Sequence, residues 1–475
     1  MTITVFACAD SPAVRYRGVE AELIDGLCEA PSKISDRIGD ADQVVLLLHG
    51  QRYELADVQR ALRSAEIDPL GTQIFDVPAE ISESDLEITV AGLRQRAAAF
   101  AGSRPEHNKP TMPQKLSRRS VLRPPRPVYV AAPMVDHGAC AAADGCQACV
   151  EICPQGAYRS QSGRIHFNKD LCEPCGRCVS GCPTEAISNP SATAGMLAAQ
   201  IRAMIGHDDA PVGIRFVCSR ALAPPSASGW HDIVVPCTGM VPGSWLLTAL
   251  LMGAGSVTAL TCADGGCQLE LGAHSGSAMD FARAVLTAAE LDPGSVPSEA
   301  GETIGEPIAH EEFAAPFTHV GRVDVILALG AISGVALDVV HGDANLGVVV
   351  IDPDSCTLCA QCAQACPTSA IQAGSEGTTI ALSFDARSCT NCGQCTLACP
   401  EIERGAIAVS GKVDLETLRA GRQTIVEGEV LLCESCGKPV APSSMMDRIG
   451  ELLGDDFDDT MAYLTRRCMD CRTLA

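Results

Sequence analysis

The chain has 475 residues, with 35 Lys and Arg against 58 Asp and Glu, for a formal net charge of −23. A surface this acidic repels nucleic acid and anionic lipid, which argues against both as partners. An apolar content of 47% excludes wholesale disorder, and the length predicts about three or four domains.

Cysteine is the outlier, at 26 residues. A chain of this size needs no disulfides to fold. The opening MTITVFACAD has neither the basic start nor the long apolar run of a secretory signal. The expectation is a cytoplasmic protein whose thiols bind metal. The predicted fold class is multidomain α/β and α+β.

Residues 1–100 read as a small α/β domain. Strand-like runs at Ile3–Phe6 and Gln43–Leu48 alternate with helical spacing at Leu55, Val58 and Leu62. Cys8 and Cys28 stand singly here and are read as core, with no ligand role. Residues 101–128 read as a linker; between 103 and 127 it carries six Pro and seven Lys or Arg against one Glu. Its SRRSVLR (Ser117–Arg123) looks like a twin-arginine signal, but RPPRP follows instead of an apolar run, so a solvated basic strip is expected.

Residues 129–190 hold two runs of four cysteines: Cys140, Cys146, Cys149, Cys153 and Cys172, Cys175, Cys178, Cys182. Residues 349–410 hold two more: Cys356, Cys359, Cys362, Cys366 and Cys389, Cys392, Cys395, Cys399. Three of the four read C-x2-C-x2-C-x3-C, and each last Cys precedes Pro; the first run has AAADG in its opening gap. This is the bacterial ferredoxin spacing for a 4Fe–4S cube, in which three close thiolates hold one cube and the fourth reaches its neighbour. The predicted ligand sets are therefore crossed. Cluster one takes Cys140, Cys146, Cys149 and Cys182; cluster two takes Cys172, Cys175, Cys178 and Cys153. Cluster three takes Cys356, Cys359, Cys362 and Cys399; cluster four takes Cys389, Cys392, Cys395 and Cys366. Zinc prefers two C-x2-C knuckles across a longer loop, not three Cys in seven residues. The two modules form an internal repeat.

Between the modules, residues 205–298 predict a parallel α/β domain. Ile214–Val217, Ile233–Val235 and Val257–Leu260 read as buried strands, and Ser244–Met252 as a crossover helix. Cys218, Cys237, Cys262 and Cys267 follow those strands and converge at the sheet edge where α/β proteins bind ligands. They fit a 2Fe–2S cluster, one zinc, or structural thiols. Residues 233–263 lack charge, but Pro and Gly interrupt them, so a buried helix and strand are expected rather than a membrane span. His207, His231 and His274 are isolated and read as surface or core. Residues 299–348 are a connector to which no role is assigned; its apolar stretch Val325–Val340 is interrupted by Asp338.

Residues 411–475 carry Cys433, Cys436, Cys468 and Cys471 as two C-x2-C knuckles, the zinc-ribbon pattern. Zinc, a single rubredoxin-like iron or a fifth cluster would suit them. A helix is expected through Met446, Ile449, Leu452 and Leu453. The acidic run Asp455, Asp456, Asp458, Asp459 lacks the Gly and terminal Glu of a calcium loop.

Two segments resemble known families. FVCSRA, PCTGMV and TCADGGC are similar to the delta subunit of methyl-viologen-reducing hydrogenase, with Ala221 where that family has a second cysteine. The resemblance implies a 2Fe–2S cluster on Cys218, Cys237, Cys262 and Cys267. LLLHGQRYELADVQRALRSAEIDPLGTQIFDV resembles the N-terminal domain of the heterodisulfide reductase A family, without that family's cysteine signature. No G-x-G-x-x-G is present, and GAGSVT (Gly253–Thr258) lacks the third Gly, so a flavin domain is not expected.

The function expected is an electron-transfer subunit with four 4Fe–4S clusters, one 2Fe–2S cluster and a zinc or single iron, and no catalytic residues of its own. It would link a dehydrogenase, such as a formate dehydrogenase, or a hydrogenase to a flavoprotein or disulfide-reducing partner. Two alternatives are a redox enzyme with a special cluster at Cys218–Cys267 and a redox-sensing or cluster-maturation protein.

Overall fold

Apolar runs of the first hundred residues become strands β1 (Ile3–Cys8), β2 (Glu22–Ile24), β3 (Gln43–Leu48) and β4 (Gln73–Asp76), with helices α1 (Leu55–Ser64) and α2 (Glu83–Ala98). The computed structural model describes residues 1–10, 18–50, 53–111, 127–207, 210–220, 226–260, 267, 272–297, 305–308, 321–454 and 459–472. Ser117–Arg123, Ala221, Cys262 and the acidic positions 455–458 lie outside them. The chain divides into two units: 1–140, 149–159 and 166–334; and 141–148, 160–165 and 335–475.

In the first unit the N-terminal strands form one parallel sheet in the order β2-β1-β3-β4. All six residues of β3 are buried, because helices cover both faces. Val44, Leu46 and Leu48 pack with Val58, Ala61 and Leu62 of α1, while Val45 and Leu47 pack with Leu86, Val90 and Leu93 of α2. The two-residue period of the strand divides these side chains between the layers. Ser82 caps α2 by accepting from the Asp85 N–H at 3.0 Å. The ends of the basic linker pair with each other, Asn108–Thr111 against Val128–Ala131.

Helix α3 (Ala194–Ile205) leads into a second parallel sheet of β5 (Gly213–Cys218), β6 (Trp230–Val235) and β7 (Ser256–Ala259), in the order β6-β5-β7. Helix α4 (Gly243–Leu251) crosses from β6 to β7, and α5 (Gly272–Ala288) follows. The uncharged stretch is thus helix and strand, and no described helix is long and apolar enough to cross a membrane. Inside this sheet Arg215 clasps Asp232 at 2.5 and 2.8 Å.

The two sheets of this unit are joined through α2. A Cβ on Gly92 would lie 2.7 Å from Met204 of α3, so the helices meet where only glycine fits. Arg96 is buried and donates to Gln200 Oε1 (3.1 Å), Val234 O (2.8 Å) and Ser191 O (2.8 Å). His231 is 1% exposed; its Nδ1 is 3.1 Å from Thr89 Oγ1 and its Nε2 3.7 Å from Asp85.

Burial pushes the His231 imidazole down to about 4, with Asp85 pulling it the other way. The folded protein therefore holds it neutral, while the unfolded chain takes up a proton below about 6.5. The stabilisation is fully present above that value and is lost as pH falls toward 4, by up to about 3 kcal/mol. His231→Gln is expected to flatten the decline in melting temperature between pH 6.5 and 4. An unchanged slope would assign the acid sensitivity elsewhere.

In the second unit, β8 (Asp338–Val340) and β9 (Gly347–Ile351) both pair antiparallel with β12 (Ile407–Asp414). Strands β10 (Ile371–Glu376), β11 (Thr379–Phe384), β13 (Gln423–Leu432) and β14 (Pro439–Pro442) form an antiparallel sheet in that order. Helix α6 (Ser443–Leu453) follows where sequence placed it. The apolar stretch 325–340 divides between helix Arg322–Ser333 of the first unit, closed by Gly334 at φ +70°, and strand β8 of the second.

Candidate metal centres

Each regular ferredoxin run makes the same local turn. The residue after its second Cys is left-handed: Gly176 (φ +73°), Ala360 (φ +60°) and Gly393 (φ +71°). That reversal starts a one-turn helix carrying the third Cys: Arg177–Ser180, Gln361–Gln364 and Gln394–Leu397. Three thiols thus curl toward one point, and the helix carries the fourth away. After the Cys-Pro pair, Glu185 and Ser369 are also left-handed, each three residues past the last Cys of its run (φ +55° and +53°).

In the second unit this geometry opens two cavities. One, about 320 Å³ including its open mouth, is lined by Cys356, Cys359, Cys362 and Cys399. The other, about 300 Å³, is lined by Cys366, Cys389, Cys392 and Cys395. Each gathers three thiols of one run and the last thiol of the other. Ile351, Leu382 and Ile407 wall the first; Val349, Ile371 and Phe384 wall the second. A Cβ on Gly347 would sit 2.8 Å from the Cys389 sulfur, so glycine leaves that thiol its place. Burial pushes the Cys362 thiol up to about 11 and Cys395 up to about 12.

In the first unit, Cys172, Cys175 and Cys178 lie close enough to neighbouring thiols, Cys153 among them, to be pushed up electrostatically. Burial is the larger cause, and takes Cys172 and Cys178 up to about 12. The Tyr158 hydroxyl donates to the Cys178 sulfur at 3.3 Å, and the Ala157 N–H to Cys153 at 3.3 Å. Lys109 donates to the Cys172 carbonyl. Sequence reading misses Tyr158 and Lys109, since neither stands in the motif. Cys140, Cys149 and Cys182 lie in the first unit, and Cys146 in the second.

Cys218 ends β5, and Cys237 lies two residues beyond β6. The neighbouring Cys218 thiol, then burial, pushes Cys237 well above the usual thiol range. Cys175 of the ferredoxin run packs against this pair, with Cys267 beside them. A Cβ on Gly176 would lie 2.4 Å from Met240, so the two cysteine loops abut where glycine permits.

The C-terminal set differs in scale. The sulfurs of Cys433, Cys436, Cys468 and Cys471 all lie within 4.8 Å of one another, with Cys436 and Cys468 at 3.5 Å. Tetrahedral zinc with bonds of about 2.3 Å places its sulfurs about 3.8 Å apart. The ferredoxin sets are not this tight among the described residues, as the corners of a cube demand when compared with a single ion. The Cys468 N–H bonded to Cys433 lowers that thiol to about 6. Lys438 and Asp470 pair across the two knuckles at 2.9 Å.

Paired four-thiol cavities of this kind define an iron–sulfur class of protein. Residues 348–400 match the family model of the 4Fe–4S dicluster domain. Residues 218–303 match that of the methyl-viologen-reducing hydrogenase, delta subunit. No curated protein matches the chain. The chain therefore carries a 4Fe–4S dicluster domain and a hydrogenase delta-subunit-like domain.

Proposed function

We propose that the chain is an electron-transfer subunit holding four 4Fe–4S clusters on the crossed cysteine sets, a 2Fe–2S cluster on Cys218, Cys237, Cys262 and Cys267, and zinc on the C-terminal four. The observation that carries this reading is the pair of cavities, each lined by four thiols drawn from two runs. Iron–sulfur clusters supply one-electron storage, at potentials set by burial and by hydrogen bonds to sulfur. Here Tyr158 supplies such a bond at Cys178. The contact of Cys175 with Cys218 and Cys237 supports a short path between the first ferredoxin module and the central domain. The likeness to a hydrogenase delta subunit favours a hydrogenase or a dehydrogenase such as formate dehydrogenase as donor, and a flavoprotein or disulfide-reducing enzyme as acceptor. By its resemblance to the heterodisulfide reductase A family the N-terminal domain is read as a docking domain, and the basic linker as a docking strip.

Iron and sulfide analysis of anaerobically purified protein, followed by EPR during reductive titration, tests the reading. About 18 iron and 18 sulfide per chain are expected for these cluster types. Cys237→Ser is expected to abolish a 2Fe–2S signal and leave about 16 iron. A native count near 16 would make the central thiols structural, and a near absence of iron would overturn the electron-transfer reading.

A further inference from the structure

Cys8 and Cys28 stand apart from the four cysteine runs, and the cluster pattern has no use for them. The fold gives them company. Cys8 is the last residue of β1, Cys28 follows β2, and His49 is the first residue past β3. In a parallel sheet these three positions share the C-terminal edge, where α/β folds bind ligands. Cys28 Sγ lies 3.2 Å from His49 Nδ1, and all three ligand atoms lie within 4.8 Å of one another.

We infer that Cys8, Cys28 and His49 form a zinc site in the N-terminal domain. A zinc ion with bonds of about 2.3 Å to sulfur and about 2.0 Å to nitrogen spaces such a pair about 3.5 Å apart, close to the spacing found. Two thiolates and an imidazole form a donor set that suits a borderline-soft divalent ion. The cysteines are 0% and 2% exposed, so the thiols are shielded from bulk water. The site is braced by protein: the His49 N–H donates to Cys28 Sγ at 3.3 Å, and Asp10 lies 3.9 Å from Cys8 Sγ while accepting from the Gly26 N–H at 2.6 Å. Among the described His, Cys, Asp and Glu side chains no fourth lies within 4.8 Å of all three.

The inference depends on none of the cluster assignments, and its test reads zinc rather than iron. The full chain carrying Cys433→Ser and Cys436→Ser is purified anaerobically, exposed to Zn²⁺, desalted and analysed. About one zinc per chain is expected to remain, with a zinc-edge X-ray absorption spectrum containing both sulfur and imidazole scattering. Adding His49→Gln is expected to remove the imidazole signature and weaken zinc retention at least tenfold, with iron content and far-UV circular dichroism unchanged. Adding Cys28→Ser is expected to abolish retention. Absence of zinc from the parent double variant, a spectrum without imidazole, a Cys8–Cys28 disulfide in its place, or retention indifferent to His49→Gln would each overturn the site.

Discussion

Cys399→Ala is expected to remove about four irons per chain, and the EPR signal it removes is expected to be the one that Cys356→Ala also removes. Cys366→Ala and Cys389→Ala should form the second matching pair. The reason is geometric. Cys399 lines the cavity of Cys356, Cys359 and Cys362, and Cys366 lines that of Cys389, Cys392 and Cys395. Ligation within each run would instead pair Cys399 with Cys389, and that result would reject the crossed sets. The module around Cys140–Cys182 is expected to keep its iron in all four variants. Loss of iron from both modules would mean that they do not fold independently of each other's clusters.

The second large effect concerns the C-terminus. Stripping zinc with a strong chelator, or replacing Cys436 by serine, is expected to unfold the segment from about residue 433 to 472. Structural zinc contributes about 10–16 kcal/mol in small zinc modules, and this segment has little else. Helix α6 buries no residue, and neither does the short helix Met469–Arg472. The buried side chains at the knuckles are Cys433 and Cys468 themselves. Limited proteolysis is therefore expected to cut within 433–472 at least tenfold faster after chelation, while β13, held to β11, stays intact. Equal cleavage rates with and without metal would show that the ion is not what holds the segment.

Legibility in the sequence followed the range of the forces involved. Ferredoxin runs are local objects: seven residues, one left-handed turn and one helical turn place three thiols, so spacing alone announces them. The central strands were legible for a similar reason, since a fully buried parallel strand is an unbroken apolar run. Their bounds shift by one to three residues, as at Trp230–Val235. Long-range pairing was not legible. Nothing in Gln423–Leu432 says that it joins Thr379–Phe384, yet that register ties the C-terminal segment to the second ferredoxin module. A lone tyrosine does not declare the target of its hydroxyl, so Tyr158 escaped notice. Cys8, Cys28 and His49 escaped for the same reason on a larger scale: separations of 20 and 21 residues form no motif, and only the parallel order of β2, β1 and β3 brings them together.

Glu401 lies two residues past Cys399, lines the first of the two cavities, and donates its N–H to the Cys399 thiol. Its carboxylate, 11% exposed, is met by Arg404 at 3.3 Å and by Arg448 of α6 at 3.0 Å. A negative charge beside a cluster makes electrons harder to add, and net local charge is among the determinants of potential. The two guanidiniums neutralise that effect, and one of them stands on α6, which packs against β13 and β14. A partner that lifted α6 would unmask the carboxylate and lower the potential of the neighbouring cluster without touching its sulfurs. Docking would then work as a voltage adjustment, and Arg448→Ala would imitate it in the absence of any partner.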